Sequence, residues 1–132
     1  MKSFKSFHQE IDEQMNIKQL DAVEKFADRL FATVGVDVEF TRHFMDRVND
    51  MRNGKDITPA ELIRLFKQSH RKHGKKISKL GDSAQAVIND TQTDINMPFI
   101  LKWDSRNREF DLVAKTVMRK KDFKTPDKKL KI

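Results

Sequence analysis

NMPFILKWDSRNREFDLVAKTVM, residues 96–118, is the stretch that decides the fold class. Phe99, Leu101 and Trp103 recur at period two before the polar run DSRNRE. Phe110, Leu112, Ala114, Thr116 and Met118 recur at period two after it. Alternate residues of a strand share a face, so two such runs about a polar turn predict a β-hairpin. The opposite face of the second strand then carries Val113, Lys115, Val117 and Arg119.

Upstream, the apolar period changes to that of a helix. In DITPAELIRLFKQSHRKHGKK, residues 56–76, Thr58 is placed to cap, Pro59 to open and Glu61 to complete a capping box. Leu62, Ile63, Leu65 and Phe66 supply the buried side, and Gly74 is the expected stop. In DAVEKFADRLFATVG, residues 21–35, Val23, Phe26, Ala27, Leu30, Phe31 and Val34 form one apolar stripe, with Asp21 as cap and Gly35 as terminator. VDVEF, residues 36–40, alternates like a half-buried strand. Thr41 is placed to cap a helix over residues 42–51, RNGKD is a turn, and residues 83–89 read as a short helix.

A helix, a short strand, two helices and then an antiparallel sheet with a C-terminal hairpin is an α+β order. The 132 residues suit one domain. The expected organisation is an N-terminal arm over residues 1–20, a single α+β domain over 21–119, and a basic flexible tail over 120–132.

The chain has no cysteine, which removes disulfides, thiolate metal sites and cysteine nucleophiles and fits a reducing cytoplasm. No apolar run approaches the roughly 20 residues of a membrane span, and the N-terminus has no signal-like apolar core. A cytoplasmic location is therefore expected, with no membrane partner.

Net charge is +7, unevenly spread. Residues 1–63 hold nine Lys/Arg against twelve Asp/Glu, and residues 64–132 hold eighteen against eight. Such asymmetry points either to a polyanion partner, because Lys and Arg neutralise phosphates and release counterions, or to a solubilising surface with a basic tail. The candidate nucleic-acid contacts are Arg64, Lys67, Arg71, Lys72, Lys75 and Lys76 on the boxed helix, with Arg119, Lys120 and Lys121 after the hairpin.

P-loop, dinucleotide-binding, nucleophile-elbow and zinc-protease motifs are missing from the sequence. His70 and His73 stand at i, i+3 but among cations, and the carboxylates look scattered, so no metal and no cofactor are expected. Metal-free RNA cleavage suits the remaining residue types. The substrate's own 2′-OH attacks the adjacent phosphate, so a proton carrier and cations around the pentacoordinate phosphorus are enough. EFTRHFMDRVND, residues 39–50, offers them: His43, Arg47 and Asp50 fall at i, i+4 and i+7, one helix face. The competing reading is an ordinary polar surface row.

The run F-T-x-H-F-x-x-R from Phe40 to Arg47, the helix opening I-T-x-x-E from Ile57 to Glu61, and the strand ending L-V-A-K-T-V resemble the superfamily of small metal-independent nucleases. That superfamily groups barnase, EndoU, the tRNA-cutting colicins and RelE-like toxins, including phage-encoded members, and the whole chain is also similar to proteins of tailed bacteriophages. The resemblance implies catalytic or phosphate-binding roles for His43 and Arg47, with Lys115 or Thr116 near them on the sheet. It implies an endoribonuclease acting on RNA in an infected bacterial cell. The chain departs from the pattern in having no tyrosine and in the turn MRNGKD after the arginine. The alternatives are a non-catalytic nucleic-acid-binding or virion-associated protein, and a module that binds and inhibits a host protein through Phe4 and Phe7 of MKSFKSF.

Overall fold

The computed structural model describes residues 15–132. The expectations resting on MKSFKSF and the first part of the arm lie outside the described residues. The fold is α+β, as the order of periodicities implies.

The first helix, α1 (Ile17–Phe31), begins before Asp21 because Asn16 and Gln19 form their own capping box. The Asn16 side chain accepts the Gln19 N–H at 2.8 Å, and the Gln19 side chain accepts the Asn16 N–H at 3.0 Å. Met15 is buried and exchanges two hydrogen bonds with the Asn49 side chain. Residues 15–20 therefore belong to the domain and not to an arm. A 3-10 turn (Ala32–Val34) follows, closed by Gly35 at φ 75°, the left-handed conformation that favours glycine.

Strand β1 (Val36–Phe40) leads to α2 (Arg42–Arg47), capped by Thr41 Oγ1 on the Phe44 N–H. The helix stops short of residue 51 because Asp50 starts a separate 3-10 turn (Met51–Asn53), accepting the Arg52 N–H. Helix α3 (Pro59–Ser78) has the predicted Thr58–Glu61 box at its start. It runs on through Gly74, because Ile77 continues the buried face for one more turn.

The sheet contains β2 (Gln85–Asp90), β3 (Ile95–Asp104), β4 (Glu109–Ala114), β5 (Met118–Arg119) and β6 (Lys128–Lys131). Its order is β1-β4-β3-β2-β6, with β5 beside β3. The central β2–β3–β4 meander is antiparallel, while β1 joins β4 and β6 joins β2 in parallel, so the sheet is mixed. The predicted hairpin forms, and its two apolar rows meet: Phe99, Leu101 and Trp103 lie opposite Ala114, Leu112 and Phe110. Past Ala114 the ladder ends: the Lys115 N–H still bonds to the Pro98 carbonyl in register, but Pro98 has no N–H to return, and the Lys115 carbonyl takes Thr41 Oγ1 instead. Beyond it Val117 is buried while Thr116 leaves the apolar row.

Two further expectations are corrected. Residues 83–89 lie in and beside β2, whose two faces are both largely covered, so Ala86, Val87 and Ile88 are all buried and the alternation of a half-exposed strand disappears. Residues 120–132 are not a free tail: β6 completes the sheet, with Leu130 and Ile132 buried. Among the described residues no helix is long and apolar enough to cross a membrane.

Helix side chains reach both edges of the sheet. The edge N–H groups of Val38 and Phe40 donate to Asp28 Oδ1 at 2.9 Å and Glu24 Oε2 at 2.7 Å, residues one turn apart on α1. On the other edge, His73 Nε2 lies 2.7 Å from the Lys131 carbonyl. The bonded N–H groups of β1 and the three lysines on β6 oppose strand-to-strand association.

Candidate nucleic-acid interface

The His43 row is assembled only in part. Thr41 donates from Oγ1 to the Lys115 carbonyl at 2.8 Å and from its N–H to the Ala114 carbonyl at 3.2 Å. The start of α2 thus abuts the end of β4, and the backbone of Lys115 lies beside the helix that carries His43. The side chains go elsewhere. His43 is exposed with no hydrogen-bond partner among the described residues. Arg47 Nε lies 3.5 Å from Asp50, and Asp50 is also gripped by Arg52 at 2.8 Å. The Arg52 side chain and backbone N–H hold the Asp50 carboxyl well below the usual carboxylate range. The Lys115 ammonium donates to Gln85 Oε1 at 2.7 Å, and Thr116 Oγ1 is buried without a partner.

Arg119 requires a correction. All five of its N–H donors are engaged within the protein: Nε with Lys55 O, Nη1 with Glu61 Oε2 and Thr93 O, Nη2 with Asp56 O and Glu61 Oε1, at 2.7 to 3.2 Å. Its side chain is 13% exposed. It fastens β5 to the start of α3 and has no donor left for a phosphate. Burial works to raise the Glu61 carboxyl, but hydrogen bonds from Arg119 and the Thr58 N–H outweigh it and hold the group below its ordinary value. Arg64 is likewise drawn inward, to buried Asp90 at 3.3 Å and Gln92 at 2.8 Å. Lys120 and Lys121 are exposed directly after Arg119, and the Lys120 N–H donates to the Asp94 carbonyl.

The remaining cations of α3 stand free. Lys67, Arg71, Lys72, Lys75 and Lys76 are exposed, as is Lys79 at the C-cap, and none belongs to the four ion pairs among the described residues. Between this helix and the 3-10 turn after α1 lies a groove of about 680 Å³, walled by Thr33, Val34, His70, Arg71, Lys75 and Lys76 among others. His70 Nε2 is 2.9 Å from Thr33 Oγ1, whose own proton goes to the Leu30 carbonyl. His70 Nε2 is therefore the donor. His73 turns the other way, to Lys131, so the two histidines do not form a ligand pair.

Three of the carboxylates are not scattered. Asp37, Glu109 and Asp111 offer oxygens within 4.8 Å of one another, on the face of β1 and β4 opposite to that of buried Val36, Val38 and Leu112. Parallel pairing of β1 and β4 sets Asp37 beside Asp111, an association that neither strand's own sequence contains. A hydrogen bond with Asp28, partial burial, and the charges of Asp28, Glu109 and Asp111 push the Asp37 carboxyl up to about 7. The cluster relieves its repulsion by holding a proton. Acid and base thus occupy separate regions: acid on β1 and β4, base on α3 and β6.

Comparison with protein-family models, with curated proteins and with solved structures finds no match. Charge placement and side-chain geometry are accordingly what distinguish one function from another.

Proposed function

We propose that the protein binds nucleic acid through the exposed face of α3, extended by β6, and does not cut it. The observation that carries this reading is the row of six exposed cations, Lys67, Arg71, Lys72, Lys75, Lys76 and Lys79, without carboxylate partners among the described residues. Lysines held in salt bridges would already be neutralised; these are available to phosphates, and their number gives binding a steep salt dependence.

The endoribonuclease reading retains one supporting observation, the Thr41–Lys115 contact that brings the His43 helix to the end of β4. Its chemistry needs His43, Arg47 and Lys115 to meet at one phosphate. Arg47 faces Asp50 and Lys115 faces Gln85. Binding without cleavage is therefore favoured.

Labelled RNA incubated with the full chain in EDTA distinguishes the two. The expected result is retardation at low salt with the RNA intact, unchanged in His43→Ala. Cleavage that disappears in His43→Ala would establish the enzyme instead, and absence of retardation at low salt would remove the nucleic-acid reading.

A further inference from the structure

Trp103 is 47% exposed although it lies on the sheet face that carries the helices. The ring is held in place: Phe110, its register partner, meets it edge to face at 5.0 Å with the planes at 66°. Its surroundings tie it to the basic groove on both sides. The Phe110 N–H donates to the carbonyl of Gly35, the residue after groove wall Val34. The backbone N–H of Trp103 donates to Asp82 Oδ1 at 2.9 Å, and Asp82 is three residues from Lys79, a Cα span of at most roughly 11 Å. The end of β3 that carries Trp103 therefore lies near the C-terminal end of α3, and its neighbour on β4 lies beside the chain that leaves the groove wall.

A half-exposed tryptophan forgoes much of the burial that its size makes favourable. One that is braced from the side and lies at the end of the molecule where the cations of α3 finish matches what a single strand requires, a flat apolar face for a base and positive charges for phosphates along the strand. Two acids stand nearby, Asp82 on the Trp103 backbone N–H and Asp104 on the Arg106 and Asn107 backbone N–H groups. These bonds hold both carboxylates against the protein, and the exposed cations of α3 outnumber them. Asp37, Glu109 and Asp111 lie on the other face of the sheet and would repel a strand passing there.

We infer that the nucleic acid taken by this surface is single-stranded, with one base stacked on Trp103 and adjoining phosphates on Lys79, Lys76, Lys75 and Arg71. This rests on the nucleic-acid reading above and adds the strandedness. In a duplex the bases are already stacked on one another, so Trp103 would have no free base face to take.

Trp103 is the one tryptophan of the chain, so its fluorescence reports the contact directly. The full chain is titrated at low salt with an unstructured oligothymidylate of about 12 nucleotides and with a hairpin duplex of equal charge. The expected result is quenching by the single strand only, tighter binding of it, and about a tenfold loss of single-strand affinity in Trp103→Ala that Trp103→Phe partly restores. Equal affinity for both ligands with unmoved fluorescence and no effect of Trp103→Ala would overturn the inference and leave the basic face as a duplex or shape-indifferent binder. Failure of both ligands to bind would remove the nucleic-acid reading itself.

Discussion

Arg119 and Lys72 are both basic residues of the positive half, yet they do opposite things. Arg119 commits every donor to Glu61 and three backbone carbonyls, so Arg119→Ala would leave Glu61 without its cation and those carbonyls unpaired. The expected loss of stability is roughly 3 kcal/mol by urea denaturation, against under about 0.5 kcal/mol for Lys72→Ala. Equal effects would contradict the assignment. Asp37 gives a second residue-level test. Its carboxyl rises from 3.8 to about 7 on folding, so the chain takes up a proton. The stabilisation this brings is present in full below about pH 4 and is lost as the pH rises through 7. Asp37→Asn, fixed in the neutral form, is expected to melt above the wild type at pH 8, with the difference closing toward pH 5. A pH-independent difference in thermal denaturation would contradict the shared-proton account. Neither role was legible in sequence, because the partners of Arg119 lie at residues 55, 56, 61 and 93, and Asp37 meets Asp111 only through strand pairing.

Elements whose signals are local were the ones sequence could specify. The start of α3 needs only residues 58–61, and the β3–β4 hairpin needs only its own alternation and turn; the first stands as read, and the second does so as far as Ala114. The start of α1 was missed because an Asn/Gln box served in place of the Asp21 cap, although the signal was present at residues 16–19. β6 was missed for a different reason. KKLKI has two apolar residues among lysines, and it becomes a strand only because β2 offers a parallel edge. Leu130→Ala is accordingly expected to cost about 3 kcal/mol, the range for truncating a buried leucine. A free tail would give no change in the denaturation midpoint.

At the scale of the molecule, the sequence halves already differed in sign, and folding turns that difference into two surfaces. The carboxylates of β1 and β4 form one, and the cations of α3 and β6 form the other. Placement on α3 was legible because helical spacing fixes which residues share a face. Availability was not legible: Arg64 and Arg119 are drawn inward while Lys72, Lys75 and Lys76 are left free. The direct measurement is the salt dependence of oligonucleotide affinity for the wild type and for Lys72→Gln/Lys75→Gln/Lys76→Gln. These side chains are exposed, so the triple variant should melt with the wild type. The predicted result is weaker binding whose logarithm falls with log salt less steeply, by about 2 in slope when three phosphates are no longer neutralised. Unchanged affinity and slope in a folded triple variant would contradict the claim that α3 binds nucleic acid.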